Sequence, residues 1–211
     1  MTGPHQDQPL VTGGTDLDDA EAALVAVHGR GATAQSIVNT VGRLHQDGLA
    51  ILAPQAANNT WYPHSFLEPV EKNEPGRTSG LAAVENAVQT AADAGIPPER
   101  VLVLGFSQGG CLASEFVARN PRQYGGAVAF SGGLIGQTVD PDDYEGDLEE
   151  TPYFVGCSDV DPHIPVERVH ITTETFERLN ADVEERIYEG MGHGINEDEM
   201  QYVDGMVDAL F

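Results

Sequence analysis

Val101-Leu102-Val103-Leu104-Gly105-Phe106-Ser107-Gln108-Gly109-Gly110 passes directly from an uninterrupted apolar run into a serine bracketed by glycines. The run is short and continuously apolar, as expected of a strand buried on both faces. After the serine the period changes. Gly110, Leu112, Ala113, Phe116 and Val117 recur at helical spacing, so 108–119 reads as a helix. The stretch is therefore a strand, a sharp turn and a helix. Gly105 and Gly109 suit the turn because a side chain at either position would meet the neighbouring strand or helix.

The rest of the chain repeats this alternation. Apolar runs at 22–28, 49–53, 127–131 and 153–157 read as strands, and 183–188 reads as a further one. Helices are expected at 33–46, 79–94, 165–180 and 196–210. The first of these carries Ile37, Val38, Val41, Leu44 and His45 at helical spacing. Gly95 and the following Pro97-Pro98 stop the second. The stretch 55–77 has no period and reads as a long loop, and 136–150 reads as an acidic loop. Residues 1–20 are polar, with a short edge strand expected around 9–12. Strands alternating with helices define an α/β class, with a mostly parallel sheet covered by helices on both faces. No linker or repeat divides the chain, so 1–211 is expected to be one domain.

Composition narrows the function classes. Of 211 residues 40% are hydrophobic, enough for a packed core. No stretch approaches the roughly 20 apolar residues of a membrane helix, and the N-terminus lacks a basic and an apolar region, so neither membrane insertion nor a signal peptide is expected. Cys111 and Cys157 do not form a disulfide framework and fit a reducing cytoplasm. Ten Lys+Arg against 34 Asp+Glu give a net charge of −24, and Lys72 is the one lysine. Such a charge repels nucleic acid and anionic membrane surfaces. The acids are dispersed rather than gathered in a tail, as in proteins of salt-in halophiles. In molar salt the Debye length falls to about 3 Å and self-repulsion is screened. The unfolding midpoint is therefore expected to rise with salt, whereas equal stability in dilute buffer and molar salt would remove the halophilic reading.

The serine carries the chemistry. G-x-S-x-G between a strand and a helix is the setting of a nucleophile elbow, with Oγ presented at the carboxyl end of the sheet. A hydroxyl needs a base, and the base needs an orienting carboxylate. In this arrangement the order is Ser, acid, His. His193, in Glu189-Gly190-Met191-Gly192-His193-Gly194, follows both Ser107 and the carboxylates after the strand at 153–157. Two acids compete there, Asp159 and Asp161. Asp161 precedes a proline that biases it toward an extended backbone, which favours it over Asp159. The oxyanion donors are expected to be the backbone N–H groups of Gln108 and of Arg30, the latter between Gly29 and Gly31. His28 precedes the serine, which is the wrong order for a base.

With these residues in view, four motifs resemble the phospholipase/carboxylesterase family of α/β-hydrolases: His28-Gly29-Arg30-Gly31, GFSQGG at 105–110, DPHIP at 161–165 and YEGMGH at 188–193. The resemblance runs from about residue 20 to the end. It implies an α/β-hydrolase fold without a large lid domain, with Ser107, Asp161 and His193 in the catalytic positions and Arg30 as second oxyanion donor. Many members have leucine at that position, so arginine is expected to make the mouth of the site more cationic. The aromatic stretch at 59–66 is similar to residues that line the family's pocket, which implies Trp61 and Phe66 as substrate walls. The expected activity is hydrolysis of carboxylic esters with small or medium acyl groups. Acyl-thioester or lysophospholipid hydrolysis uses the same residues, and a silent binding module is the remote alternative. No metal and no cofactor are expected, and the expected state is monomer or homodimer.

Overall fold

The computed structural model describes residues 3–44 and 46–211. Seven strands form one sheet in the order β1-β3-β2-β4-β5-β6-β7. They are β1 Leu10–Gly14, β2 Ala22–Val27, β3 Leu49–Pro54, β4 Val101–Phe106, β5 Gly126–Phe130, β6 Pro152–Ser158 and β7 Asp182–Tyr188. All neighbours pair in parallel except β1, which runs antiparallel to β3 with Leu10 opposite Pro54. The edge strand expected near 9–12 is therefore present, one residue later and longer.

Five α-helices cover the sheet: α1 Ala34–Val41, α2 Gly76–Asp93, α3 Gln108–Arg119, α4 Val166–Arg178 and α5 Glu197–Asp208. The strand side chains alternate between two cores. Ala23, Val25, Val27, Val101 and Val103 face α2, α3 and α4. Ala22, Leu24, Ala26, Leu102 and Leu104 face α1 and α5. β7 is the exception to the apolar runs. It is half-buried and reads Asp182-Val183-Glu184-Glu185-Arg186-Ile187-Tyr188, a charged edge that discourages pairing with another chain.

Two helices differ from expectation. α1 ends at Val41, because Gly42 follows it and closes the last turn onto Val38 O. Leu44 still enters the core, from a turn rather than a helix; His45 lies outside the described residues. α2 begins at Gly76 instead of 79. The pair Pro75-Gly76 reads as a breaker, yet only glycine fits at 76, where a Cβ would stand 2.6 Å from Trp61 O. The loop expected over 55–77 also holds two short 3-10 turns, Ala57–Asn59 and Val70–Asn73.

α5 starts with a reciprocal cap. Glu199 N–H donates to Asn196 Oδ1 and Asn196 N–H to Glu199 Oε2. Glu199 is fully buried, and its Oε1 has no partner. That oxygen presses on Gly156 of β6, where a Cβ would stand 2.1 Å from it. Burial pushes this carboxyl up to about 7, against the Asn196 N–H, which holds it down; Asp198 adds to the rise. A carboxyl whose folded value is raised binds more protons when folded, so its contribution falls as pH climbs. Replacing Glu199 by Gln should therefore give a variant whose stability relative to the parent grows by up to about 3 kcal/mol between pH 5 and 8. Urea midpoints of both proteins across that range check this; parallel curves would refute it.

Candidate active site

Ser107 sits between β4 and α3 with φ 55° and ψ −119°, a left-handed conformation that costs a non-glycine residue about 1–3 kcal/mol and clusters at functional sites. The surroundings hold it there. Its N–H donates to Phe130 O at 2.8 Å, and its carbonyl accepts from Cys111 N–H at 2.9 Å. Both flanking glycines are obligatory: a Cβ at Gly105 would lie 2.1 Å from Gly109 O, and one at Gly109 would lie 2.1 Å from Val27 O. The sharp turn expected from the sequence thus comes from backbone packing that no side chain could share.

The loops after β6 and β7 bring the other two residues to the serine. His193 Nε2 is 2.9 Å from Ser107 Oγ, and His193 Nδ1 is 2.7 Å from Asp161 Oδ2. The Asp161 side chain is fully buried, whereas His193 is 20% exposed. Burial raises the Asp161 carboxyl, but the His193 hydrogen bond and the N–H groups of His163 and Ile164 outweigh it and leave it below the usual carboxylate range. Those N–H groups meet its other oxygen, Oδ1, at 2.8 and 3.1 Å. Asp159 has a different place: its Oδ1 accepts the N–H of Gly190, at 2.7 Å. The histidine loop is pinned at two further points, by Gly192 N–H to Ser158 Oγ and by Ser131 Oγ–H to Gly194 O. Positive φ at Gly190 and Gly192 lets the loop turn between these anchors.

The backbone N–H of Gln108 is at the first turn of α3, where amides have no intrahelical acceptor and the helix dipole favours negative charge. Arg30 follows Gly29, whose Cα faces the serine closely; a Cβ there would stand 3.4 Å from Ser107 Cβ. His28 is buried and structural: Nε2 accepts from Ala56 N–H and Nδ1 bonds to Gly29 O. The Arg30 guanidinium is fixed at the mouth of the site. It donates to the carbonyls of Tyr62, Pro63 and His64 at 3.0, 3.0 and 2.7 Å.

A cavity of about 520 Å³ opens over Ser107 and His193. Phe66 lines it, as expected. Trp61 does not: it is fully buried, its indole N–H donating to His28 O at 2.8 Å. The wall expected of Trp61 is supplied by Tyr62 and Pro63, with His163 and Ile164 opposite. Gln108 decides which way the loop faces, because its side chain accepts from Trp61 N–H and donates to Tyr62 O. Sequence reasoning missed this second use of Gln108, and nothing in the local pattern signals it. His163, left without a role by the sequence, packs edge-on to the His193 ring at 4.9 Å. Cys111 also lines the cavity, but burial pushes its thiol up to about 12, so it carries no thiolate near neutral pH. Among the described residues no group of three or more His, Cys, Asp or Glu is arranged to hold a metal ion, and no helix is long and apolar enough to cross a membrane.

The sheet order, the elbow after β4 and the histidine loop after the last strand define an α/β-hydrolase fold. The chain belongs to the phospholipase/carboxylesterase family: the family's profile, described as Phospholipase/Carboxylesterase, matches residues 15–210. It is similar to the crystal structure of a phospholipase/carboxylesterase from Dyadobacter fermentans, with 42% identity over 95% of this chain and 96% of that one and a TM-score of 0.91. It is also similar to acyl-protein thioesterase 1 of Kluyveromyces lactis, 33% identical over 60% of this chain, and of Gibberella zeae, 27% identical over 88% of this chain and 89% of the relative. The match spans 57% of the length of the Kluyveromyces protein.

Proposed function

We propose that the protein hydrolyses carboxylic esters of small or medium acyl groups through an acyl-enzyme. The observation that carries this reading is the hydrogen-bonded chain from Asp161 through His193 to Ser107 Oγ. His193 Nε2 takes the Ser107 proton as Oγ attacks the acyl carbonyl. The oxyanion rests on the N–H groups of Arg30 and Gln108. His193 then gives the proton to the leaving alcohol, and the carbon–oxygen bond to that alcohol breaks. Water repeats the cycle, releasing the acid and restoring Ser107. Asp161 holds the imidazole by Nδ1 and stabilises its cation.

A second reading, hydrolysis of acyl-thioesters, needs the same steps with a thiol as leaving group, and relatives bearing the name acyl-protein thioesterase favour it. Lysophospholipids are a third substrate class compatible with the same residues. The proposed setting is a cytoplasm of high salt, with the protein as monomer or homodimer.

The test is labelling of the folded protein, in molar potassium chloride, by a fluorophosphonate, followed by aryl esters of increasing chain length run beside acyl-thioesters. Labelling with faster turnover of the oxygen esters supports the esterase reading, and faster turnover of thioesters favours the second. Absence of labelling would overturn both and leave a silent binding module.

A further inference from the structure

Beside the cavity over Ser107 lies a second one, of about 330 Å³, walled by Ala32, Ser36, Ile37, Thr40, Phe106 and Ile195. Its volume is at the lower end of the roughly 300–1,000 Å³ usual for small-molecule sites. The two cavities share Gly29, Ala32 and Phe106, so they meet at the strand end and glycine that flank the serine. Their surroundings differ. The first has Arg30, His64, Ser65 and His163 around it. The second has no charged side chain: burial holds the His28 imidazole below its ordinary value, and its ring nitrogens are already bonded to Gly29 O and Ala56 N–H.

An ester has two arms, and a serine hydrolase must house both on either side of the reacting carbon. The side on which each arm lies is set by the base, because His193 Nε2 must reach the leaving oxygen. The arm attached to that oxygen therefore runs past the base. The second cavity is bounded by the base's own neighbours. Phe106 packs beside the His193 ring, tilted by 36° with centroids 5.1 Å apart. Ile195 is two residues beyond His193 and, like Phe106, packs on the core beneath α1 and α5. The walls Tyr62, Phe66 and Cys111 of the first cavity belong to the opposite face of the sheet.

We infer that the cavity between α1 and the histidine loop is a subsite for the leaving group, and that it takes an apolar alkyl arm of a medium-chain alcohol or thiol. This rests on the hydrolase reading above and adds the leaving-group class to it. Each methylene that leaves water there contributes to binding, whereas a short alcohol leaves the cavity unused.

The experiment compares ethyl acetate, hexyl acetate and ethyl hexanoate in the wild type, Thr40→Trp and Thr40→Val. Thr40 is exposed on α1, and its hydroxyl bonds only within the helix, to Ser36 O. In the wild type, kcat/KM for hexyl acetate is expected to exceed that for ethyl acetate by at least about tenfold. Thr40→Trp fills the cavity and should remove that advantage while leaving ethyl acetate and ethyl hexanoate within about twofold of the wild type. Thr40→Val keeps the volume and should change none of the three. Loss confined to ethyl hexanoate would overturn the assignment of arms. Unchanged hexyl acetate in Thr40→Trp, or an equal loss in Thr40→Val, would overturn the subsite. In either case turnover of ethyl acetate by the wild type leaves the hydrolase reading standing; no turnover of any ester or of the matching thioesters would remove that reading and this one together.

Discussion

Ser107→Ala is expected to lower kcat for every ester or thioester substrate by on the order of 10⁴- to 10⁶-fold and to abolish fluorophosphonate labelling. The magnitude follows from the geometry. Oγ is the group placed on the base, 2.9 Å from His193 Nε2, and alanine leaves nothing to form the acyl bond. The variant keeps the proposed oxyanion donors, so a rate above that in water is expected to survive. The fold should be indifferent to the change. Alanine has the same Cβ, and the backbone bonds of Ser107 to Phe130 and Cys111 do not involve the hydroxyl. An unfolding midpoint matching that of the parent, with activity lost, is the combined result that checks this. Labelling that persists in the variant would transfer the nucleophile elsewhere.

Asp161→Asn should lower kcat by about 10⁴-fold, which is about 5–6 kcal/mol of transition-state stabilisation. The cause is a tautomer. The Asp161 carboxylate accepts from Nδ1, so Nε2 is left free to take the serine proton. In the asparagine variant the oxygen at the Oδ1 position still meets the N–H groups of His163 and Ile164, which turns the amide NH₂ toward Nδ1. The ring then carries its proton on Nε2 and cannot act as base. Stability should change in a pH-dependent way. The folded Asp161 carboxyl sits below its ordinary value, so its bonds stabilise the fold above the ordinary carboxylate range and lose that effect as pH falls through the folded value. The variant is therefore expected to unfold more easily than the parent at pH 7, and the gap should close in acid. Steady-state rates together with unfolding midpoints at both pH values check it; Asp159→Asn, run beside it, should cost far less, since Asp159 holds the backbone at Gly190 and not the ring.

The contrast between these two aspartates shows where a sequence runs out. Both lie on one loop, two residues apart, and the proline after Asp161 is only a bias. Their roles diverge because the turn at His163 and Ile164 aims two amides at Asp161 and buries it, while Asp159 stays in reach of Gly190. The same holds for the aromatic loop. Trp61 and Tyr62 are adjacent and large, and the resemblance pointed to Trp61. The indole N–H donates to His28 O, the Trp61 backbone N–H donates to the Gln108 side chain, and that side chain donates to Tyr62 O, which turns the indole inward and leaves Tyr62 and Phe66 at the cavity. The placement of the Arg30 side chain is decided in a like way: the carbonyls that engage its guanidinium come from residues more than thirty positions away.

What the sequence by itself determined was whatever depends on near neighbours. The apolar runs with their intervening helical periods specified a parallel sheet covered on both faces. The glycines around Ser107 specified the turn, since only residues without a Cβ fit where backbone meets backbone at 2.1 Å. The order Ser107, Asp161, His193 and the motifs around them pointed to the family. The tertiary structure alone decided which carboxylate meets the imidazole, which aromatic ring meets the cavity, and that a second, apolar cavity lies between α1 and the histidine loop. Each of those depends on contacts between segments far apart in the chain, whose side-chain directions are set by packing against one another and not by any local preference.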